Sequence, residues 1–368
     1  MRRRHGRVDI RVMIVLAVVS LALFAIVNRS SRRYRTRMYD EKLAAAKLSE
    51  EAFGAVRDYR LSLGLAIDSV SDPNLTGLVG MQFTQLTWGR ADLSDALTTV
   101  NPNFSAALVE LLLEAGMKKG DKLGISWDGT FPALNIQLLA VCRAMELEPV
   151  IITALSSGTW GANLPGFTWL DLETFLRERG MWDYQTRYAT LGGVADAGRG
   201  LSMMGREFLA ATAESAGVEL KSPATLDEAV ELRTAAYWGV HAVVSVGRVA
   251  ADVGDPLARV PSRVITRTGP RIDTTGTIRA LLESGTPVVF LGNPTRVALD
   301  YRLPVAPLPV PETGKGRLFF ERRYSVWLAA VFAVVLMVLL WLVVRYDIES
   351  YLGVRKPNDK EAVLELGC

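Results

Sequence analysis

The sequence predicts an α/β fold. It is a Rossmann-like, open, mostly parallel sheet flanked by helices, set between an N-terminal and a C-terminal transmembrane helix. Three features of the chain point to it. Apolar, partly β-branched runs that end in glycine or serine alternate with helical patterns, as strands and helices do in a parallel sheet. Those runs are continuous, which fits strands buried on both faces. Two uncharged stretches, Val12 to Val27 and Val326 to Val344, stand outside that rhythm near the ends of the 368-residue chain.

In chain order, residues 1–11 form a basic tail with Arg2, Arg3, Arg4, Arg7 and Arg11. The first span is placed at 12–28. A signal peptide is the alternative reading, but Asn28-Arg29 follows the apolar run with no small-x-small cleavage site, which favours an uncleaved anchor. Residues 38–70 repeat Ala52, Val56, Tyr59, Leu63 and Ile67 at spacings of three and four, a helical period. That helix is either a stalk or packed on the domain, and Ser71-Asp72-Pro73-Asn74 ends it.

The α/β domain is placed at 71–302. Its strands are read at 76–83, 122–126, 149–155, 188–193, 241–247 and 287–293. A helix opens at Asn101-Pro102-Asn103, carries Phe104, Leu108, Leu111 and Ala115 as a stripe, and closes at Gly116. The next starts at Pro132, where the missing N–H costs nothing. Others are read at 170–180, 201–216, 225–238 and 275–284. A Pro-rich linker spans 303–323. The second span is placed at 324–345, with Tyr324, Trp327, Trp341 and Tyr346 near its ends as an aromatic belt, and a tail at 346–368.

The composition narrows function. A formal net charge of +3 leaves no nucleic-acid footprint, and the basic residues gather near the two apolar segments. Two spans put both termini on one side of the cell membrane. The short five-arginine tail points to the cytoplasm, so the domain is expected outside it, although Arg29, Arg32, Arg33, Arg35 and Arg37 follow the first span. Cys142 and Cys368 give no disulfide framework.

There is no P-loop, and Gly192-Gly193 with Gly198 and Gly200 lacks the dinucleotide spacing, so no cofactor is expected. A metal would need carboxylates such as Asp128, Asp171, Asp196 or Asp252, and none is expected. Gly124-Ile125-Ser126-Trp127-Asp128-Gly129 has one residue too many for a hydrolase elbow. His5 and His241 are the only histidines, and His241 opens its strand, at the far end from a site.

Ligands of open parallel sheets bind beyond the carboxyl ends of the strands. That places a candidate site at Ser126, Asp128 and Thr130, with Asn135 in the helix that follows. Asp128 or Thr130 is expected to cap that helix, whose N-terminus favours an anion. The next strand end adds Ser156, Ser157 and Asn163, and the run "GGVADAGRG" adds Asp196 and Arg199. The same residue types also serve ordinary strand-to-helix turns.

The runs "NPNFSAALVELLLEAGMKKGD", "GISWDGTFPALN", "SSGTWGANLPGFTWLDLE", "LGGVADAGRGLS" and "LPVAPLPVPETGKG" together resemble the poly-gamma-glutamate system proteins, over about residues 70 to 316. The resemblance implies a membrane-associated accessory to the synthesis or export of that anionic polymer. Its partners would be membrane subunits of the polymer synthase and the polymer or its precursor. In that motif a serine or glycine often stands at the places of Trp127, Asp128 and Thr130, and no catalytic role is carried over. An amide hydrolase or transferase acting on the polymer, and a purely structural membrane scaffold, are the alternatives.

Overall fold

The computed structural model describes residues 10–345 except Pro256 and Arg271. Most of the basic tail, with Arg2, Arg3, Arg4 and Arg7, and the tail from Tyr346 to Cys368 lie outside the described residues. The chain forms two compact units: residues 1–35 with 320–368, and residues 36–319.

The first unit begins with helix α1 (Ile10–Arg29) and strand β1 (Arg32–Arg35). The second continues through α2 (Tyr39–Ser62), α3 (Leu93–Thr99), α4 (Phe104–Glu114), β2 (Lys122–Trp127), α5 (Pro132–Ala144), β3 (Glu148–Ala154), β4 (Asn163–Leu164), β5 (Phe167–Thr168), α6 (Trp169–Glu178) and β6 (Thr186–Thr190). It then runs through α7 (Met203–Ser215), β7 (Leu220–Lys221), α8 (Leu226–Ala236), β8 (Ala242–Val246), α9 (Ala250–Val253), β9 (Val264–Ile265), α10 (Thr277–Glu283), β10 (Val288–Leu291) and α11 (Pro294–Asp300). The first unit closes with β11 (Phe320–Arg323) and α12 (Val326–Arg345).

In the smaller unit β1 pairs antiparallel with β11, and α1 touches α12. Both helices are long and apolar enough to cross a membrane. Their side chains stand exposed along most of their length, so neither is the buried core helix of a soluble fold.

The larger unit is built on a seven-stranded sheet in the order β7-β6-β3-β2-β8-β10-β9. All neighbours are parallel except β9, which runs antiparallel to β10. The chain enters in the middle at β2 and steps outward through β3, β6 and β7. It then returns to the other side of β2 as β8. The direction of winding therefore reverses between β2 and β8.

Strand alternation sends neighbouring side chains to opposite faces. Leu123, Ile125 and Trp127 pack with Leu134, Leu138 and Leu172 of α5 and α6 in one core cluster. Val243, Phe290, Tyr237, Ile278 and Leu281 form the cluster on the other face, under α8 and α10.

Helix α2 is packed on the domain. Ala45, Ala46, Ala52, Phe53 and Val56 are buried, and the helix lies against α4 and α5. Tyr59 stacks on Phe175 with ring centroids 4.1 Å apart. Buried Arg60 donates to the carbonyls of Gly77, Val79 and Ala66. Those bonds help explain a difference from expectation: residues 76–83 form no strand. Gly80 N–H donates to the Trp160 carbonyl and Met81 N–H to Asn163 Oδ1, so the segment's polar groups are spent on loops and side chains.

The Pro-rich segment is likewise bound to the domain as far as Phe319. Ala306 N–H donates to Thr98 Oγ1, Gly314 N–H to Asn103 Oδ1, and Asn74 Nδ2 to the Pro307 carbonyl. Buried Lys42 pairs with Glu110 and donates to the Leu318 carbonyl at 3.0 Å.

Candidate functional site

A cavity of about 730 Å³ opens at the carboxyl ends of β2, β8 and β10. It lies where the winding reverses, the place where open parallel sheets hold ligands. Its charged lining residues are Asp128 after β2, Arg248 after β8, Arg259, Arg90 and Asp92 from the segment leading into α3, and Asp95 in the first turn of α3. Arg90, Arg248 and Arg259 are exposed at the opening, whereas Asp95 and Asp128 are buried.

Asp95 and Asp128 are turned toward the protein, while Asp92 is exposed at the cavity beside the arginines. Asp95 Oδ1 accepts from Thr295 N–H at 2.9 Å. Asp128 Oδ1 accepts from Thr130 N–H at 2.8 Å. This closes a tight turn, not a helix cap: α5 starts after Phe131 with no side-chain cap. The expectation that Asp128 or Thr130 caps α5 is corrected on this point. The turn is held from inside the helix, where Asn135 Nδ2 donates to the Asp128 carbonyl at 2.9 Å.

Loops after β2 and β3 do meet, because those strands are parallel neighbours. Gly158 N–H donates to Thr130 Oγ1, Ala162 N–H to the Gly129 carbonyl, and Gly129 N–H to the Ser156 carbonyl. Contact is close enough that a Cβ on Gly161 would lie 2.3 Å from both the Gly129 oxygen and Ser157 Oγ. Ser156 and Ser157 are buried in this seam, and Ser157 Oγ donates to the Gly158 carbonyl. Asn163 is fully buried and spends both ends of its amide on the 81–87 segment. Of the residues expected at the site, Asp128 and Thr130 line the cavity. Asn135, Ser156, Ser157 and Asn163 sit behind it, holding its walls.

Ser126 and Asp196 belong to a buried charge cluster next to the cavity. Arg233 of α8 donates to Ser126 Oγ at 2.8 Å and pairs with Asp196 Oδ2 at 2.6 Å. Ser245 of β8, the register partner of Ser126, donates to Asp252 Oδ2 at 2.6 Å. Asp196 Oδ1 and Asp252 Oδ1 have no hydrogen-bond partner among the described residues. Burial works against the charge on Arg233, but Asp196 and Asp252 outweigh it and raise its pKa. Burial pushes the Asp252 carboxyl up, against the pull of Arg233.

This cluster fixes a wall of the cavity. Val194 and Ala195 line the cavity beside Asp196. Ala195 and Asp196 both have positive φ, at 56° and 61°, a backbone state that side chains resist. The ion pair holds that loop in place. Arg199, from the same loop, is exposed and donates to the Ala224 carbonyl. It is absent from the cavity lining. His241 precedes β8 and accepts from Lys122 N–H at the amino ends of the strands. Ser126 and His241 therefore do not meet.

Sequence reasoning missed Arg233, Arg90, Arg248 and Arg259. Arg233 carried a signal. It stands four residues after Ala229 and four before Tyr237, on the buried stripe of its helix. Arg248 directly follows an apolar strand run. Arg90 and Arg259 lie in irregular segments that no period marks. No protein-family model, curated protein or solved structure matches the chain.

Two buried carboxyls make stability depend on pH. Burial raises Asp128 to about 6, against its bonds to Thr130. Burial also raises Glu173 to about 7, although Thr186 donates to both of its oxygens. A raised carboxyl binds its proton more tightly in the folded state than in the unfolded one. Stability from these groups is complete below pH ~4 and falls as pH rises through ~6 to ~7. Each shift corresponds to about 3 kcal/mol at most. Urea midpoints should fall across that window, and Asp128→Asn with Glu173→Gln should flatten the slope. An unchanged slope in the double variant would count against these two groups.

Proposed function

We propose that the chain is a membrane-held accessory protein that binds an anionic ligand at the carboxyl ends of a Rossmann-like sheet, in the synthesis or export of an anionic polymer such as poly-gamma-glutamate. The observation that carries the reading is the cavity at the β2–β8 reversal, with Arg90, Arg248 and Arg259 at its opening. Asp95 and Asp128 each give one oxygen to a backbone N–H, which leaves Asp92 as the exposed carboxylate beside three exposed arginines. Guanidinium groups suit carboxylates, which they bind through paired N–H bonds. The helices α1 and α12 would hold the domain at the cell membrane by crossing it twice, with the short basic tail in the cytoplasm. Synthase subunits in the same membrane would be the protein partners.

The test uses full-length protein in nanodiscs and gamma-linked glutamate oligomers, with affinity read by calorimetry. Arg90→Gln with Arg259→Gln should weaken binding at least tenfold while leaving the unfolding midpoint unchanged. Each charge-assisted bond is worth roughly 1.5 to 3 kcal/mol. Equal binding by the folded variant, or none by the wild type, would move the reading to a structural scaffold. For topology, Lys315→Cys should react with an impermeant thiol reagent in intact cells. Reaction only after lysis would place the domain in the cytoplasm.

A further inference from the structure

The pairing of β1 with β11 sets Arg32 opposite Arg323 and Arg33 opposite Arg322. All four are exposed. Like charges directly opposite one another across an antiparallel pair destabilise it. Within the ribbon the only acidic residue is Glu321, which pairs with Arg323. Arg323 also lies over the Tyr34 ring, 5.8 Å from its centroid. The ribbon sets this one carboxylate against five arginines, Arg32, Arg33, Arg35, Arg322 and Arg323. Among the described residues, the charge of Arg32, Arg33, Arg322 and Arg323 suits an anionic ligand.

We propose that this arginine ribbon binds the phosphate groups of anionic phospholipids. Its position decides the class of partner. Arg29 ends α1 three residues before β1, and α12 begins at Val326, three residues after Arg323. If α1 and α12 cross the bilayer, as the proposed function holds, the ribbon lies at the headgroup level. Tyr34, Tyr324 and Trp327 stand exposed around it, as aromatic side chains do at a membrane interface. Cross-strand neighbours about 5 Å apart can close on one phosphate from two sides. Arginine adds paired N–H bonds to phosphate oxygens, which lysine cannot supply. A soluble polyanion would be held better by a longer track than by eight paired residues.

The experiment compares full-length protein with the Arg32→Gln, Arg33→Gln, Arg322→Gln, Arg323→Gln variant in nanodiscs of equal phosphatidylcholine and phosphatidylglycerol. Co-purifying lipid is counted by native mass spectrometry. A control variant removes four arginines from the surface of the α/β unit, at Arg57, Arg187, Arg206 and Arg267. Wild type and control should retain phosphatidylglycerol over phosphatidylcholine, and the ribbon variant should lose that preference at least tenfold. No preference in the wild type, or equal loss in the control, would overturn the ribbon site. So would ribbon-dependent binding of soluble polyglutamate with no lipid preference. Carbonate extraction separates the two readings. Wild type released by carbonate defeats membrane crossing and the ribbon site together. Retained wild type without lipid preference defeats the ribbon site alone.

Discussion

Arg233→Leu should cost about 3–5 kcal/mol of stability, the range for breaking a buried ion pair by removing one partner. Asp196 would be left fully buried with no counter-charge, and Ser126 Oγ would lose its donor. Its effect should reach the cavity, because Asp196 holds a loop whose backbone carries two positive φ angles. Asp196→Asn should cost less, since the amide keeps an oxygen for Arg233 and removes a charge. Replacing Arg233 and Asp196 together by leucine should recover part of the loss, because no buried charge then stands alone. Denaturant unfolding of these three variants, of Asp196→Leu alone and of the wild type forms the test. Additive losses in the double variant would show that the pair does not act as a unit.

Trp127→Ala should be as damaging, at about 3–5 kcal/mol. The indole is fully buried on the α5–α6 face of the sheet and meets Trp169 edge-on, with centroids 5.0 Å apart. Its N–H also starts a relay of hydrogen bonds. Trp127 Nε1 donates to Thr153 Oγ1, which lies 2.7 Å from Thr186 Oγ1, which donates to Glu173. Trp127→Phe keeps most of the ring and removes only the donor, so it should cost about 1 kcal/mol. Thermal and urea unfolding would separate the two. A phenylalanine variant as unstable as the alanine one would mean that the relay, and not packing, dominates at this position.

Much of the fold was legible in the chain. Continuous apolar runs such as "KLGIS" and "PVVFL" can be satisfied only between two layers of helix, so strands β2, β3, β6, β8 and β10 announce themselves. Pro132 fixes the start of α5, and the long apolar stretches of α1 and α12 stand out by length and composition. The turns after β2 and β3 were legible because glycine and hydroxyl residues mark where a strand turns into a helix, but the cavity opens beyond β2, β8 and β10.

Tertiary structure decided what those residues do. The cavity's arginines come from three separate segments, and only the strand order brings Arg90 and Arg259 beside Arg248. Period two along β2 sends Trp127 to one face and Ser126 to the other, but the sequence does not say that Arg233 waits there. Ser156, Ser157 and Asn163 look like ligand groups in a string of letters. In the fold, neighbouring loops approach so closely that their side chains are buried in that seam or bonded across it. Burial and pairing depend on which segments meet, and residues far apart in sequence meet only once the sheet is ordered.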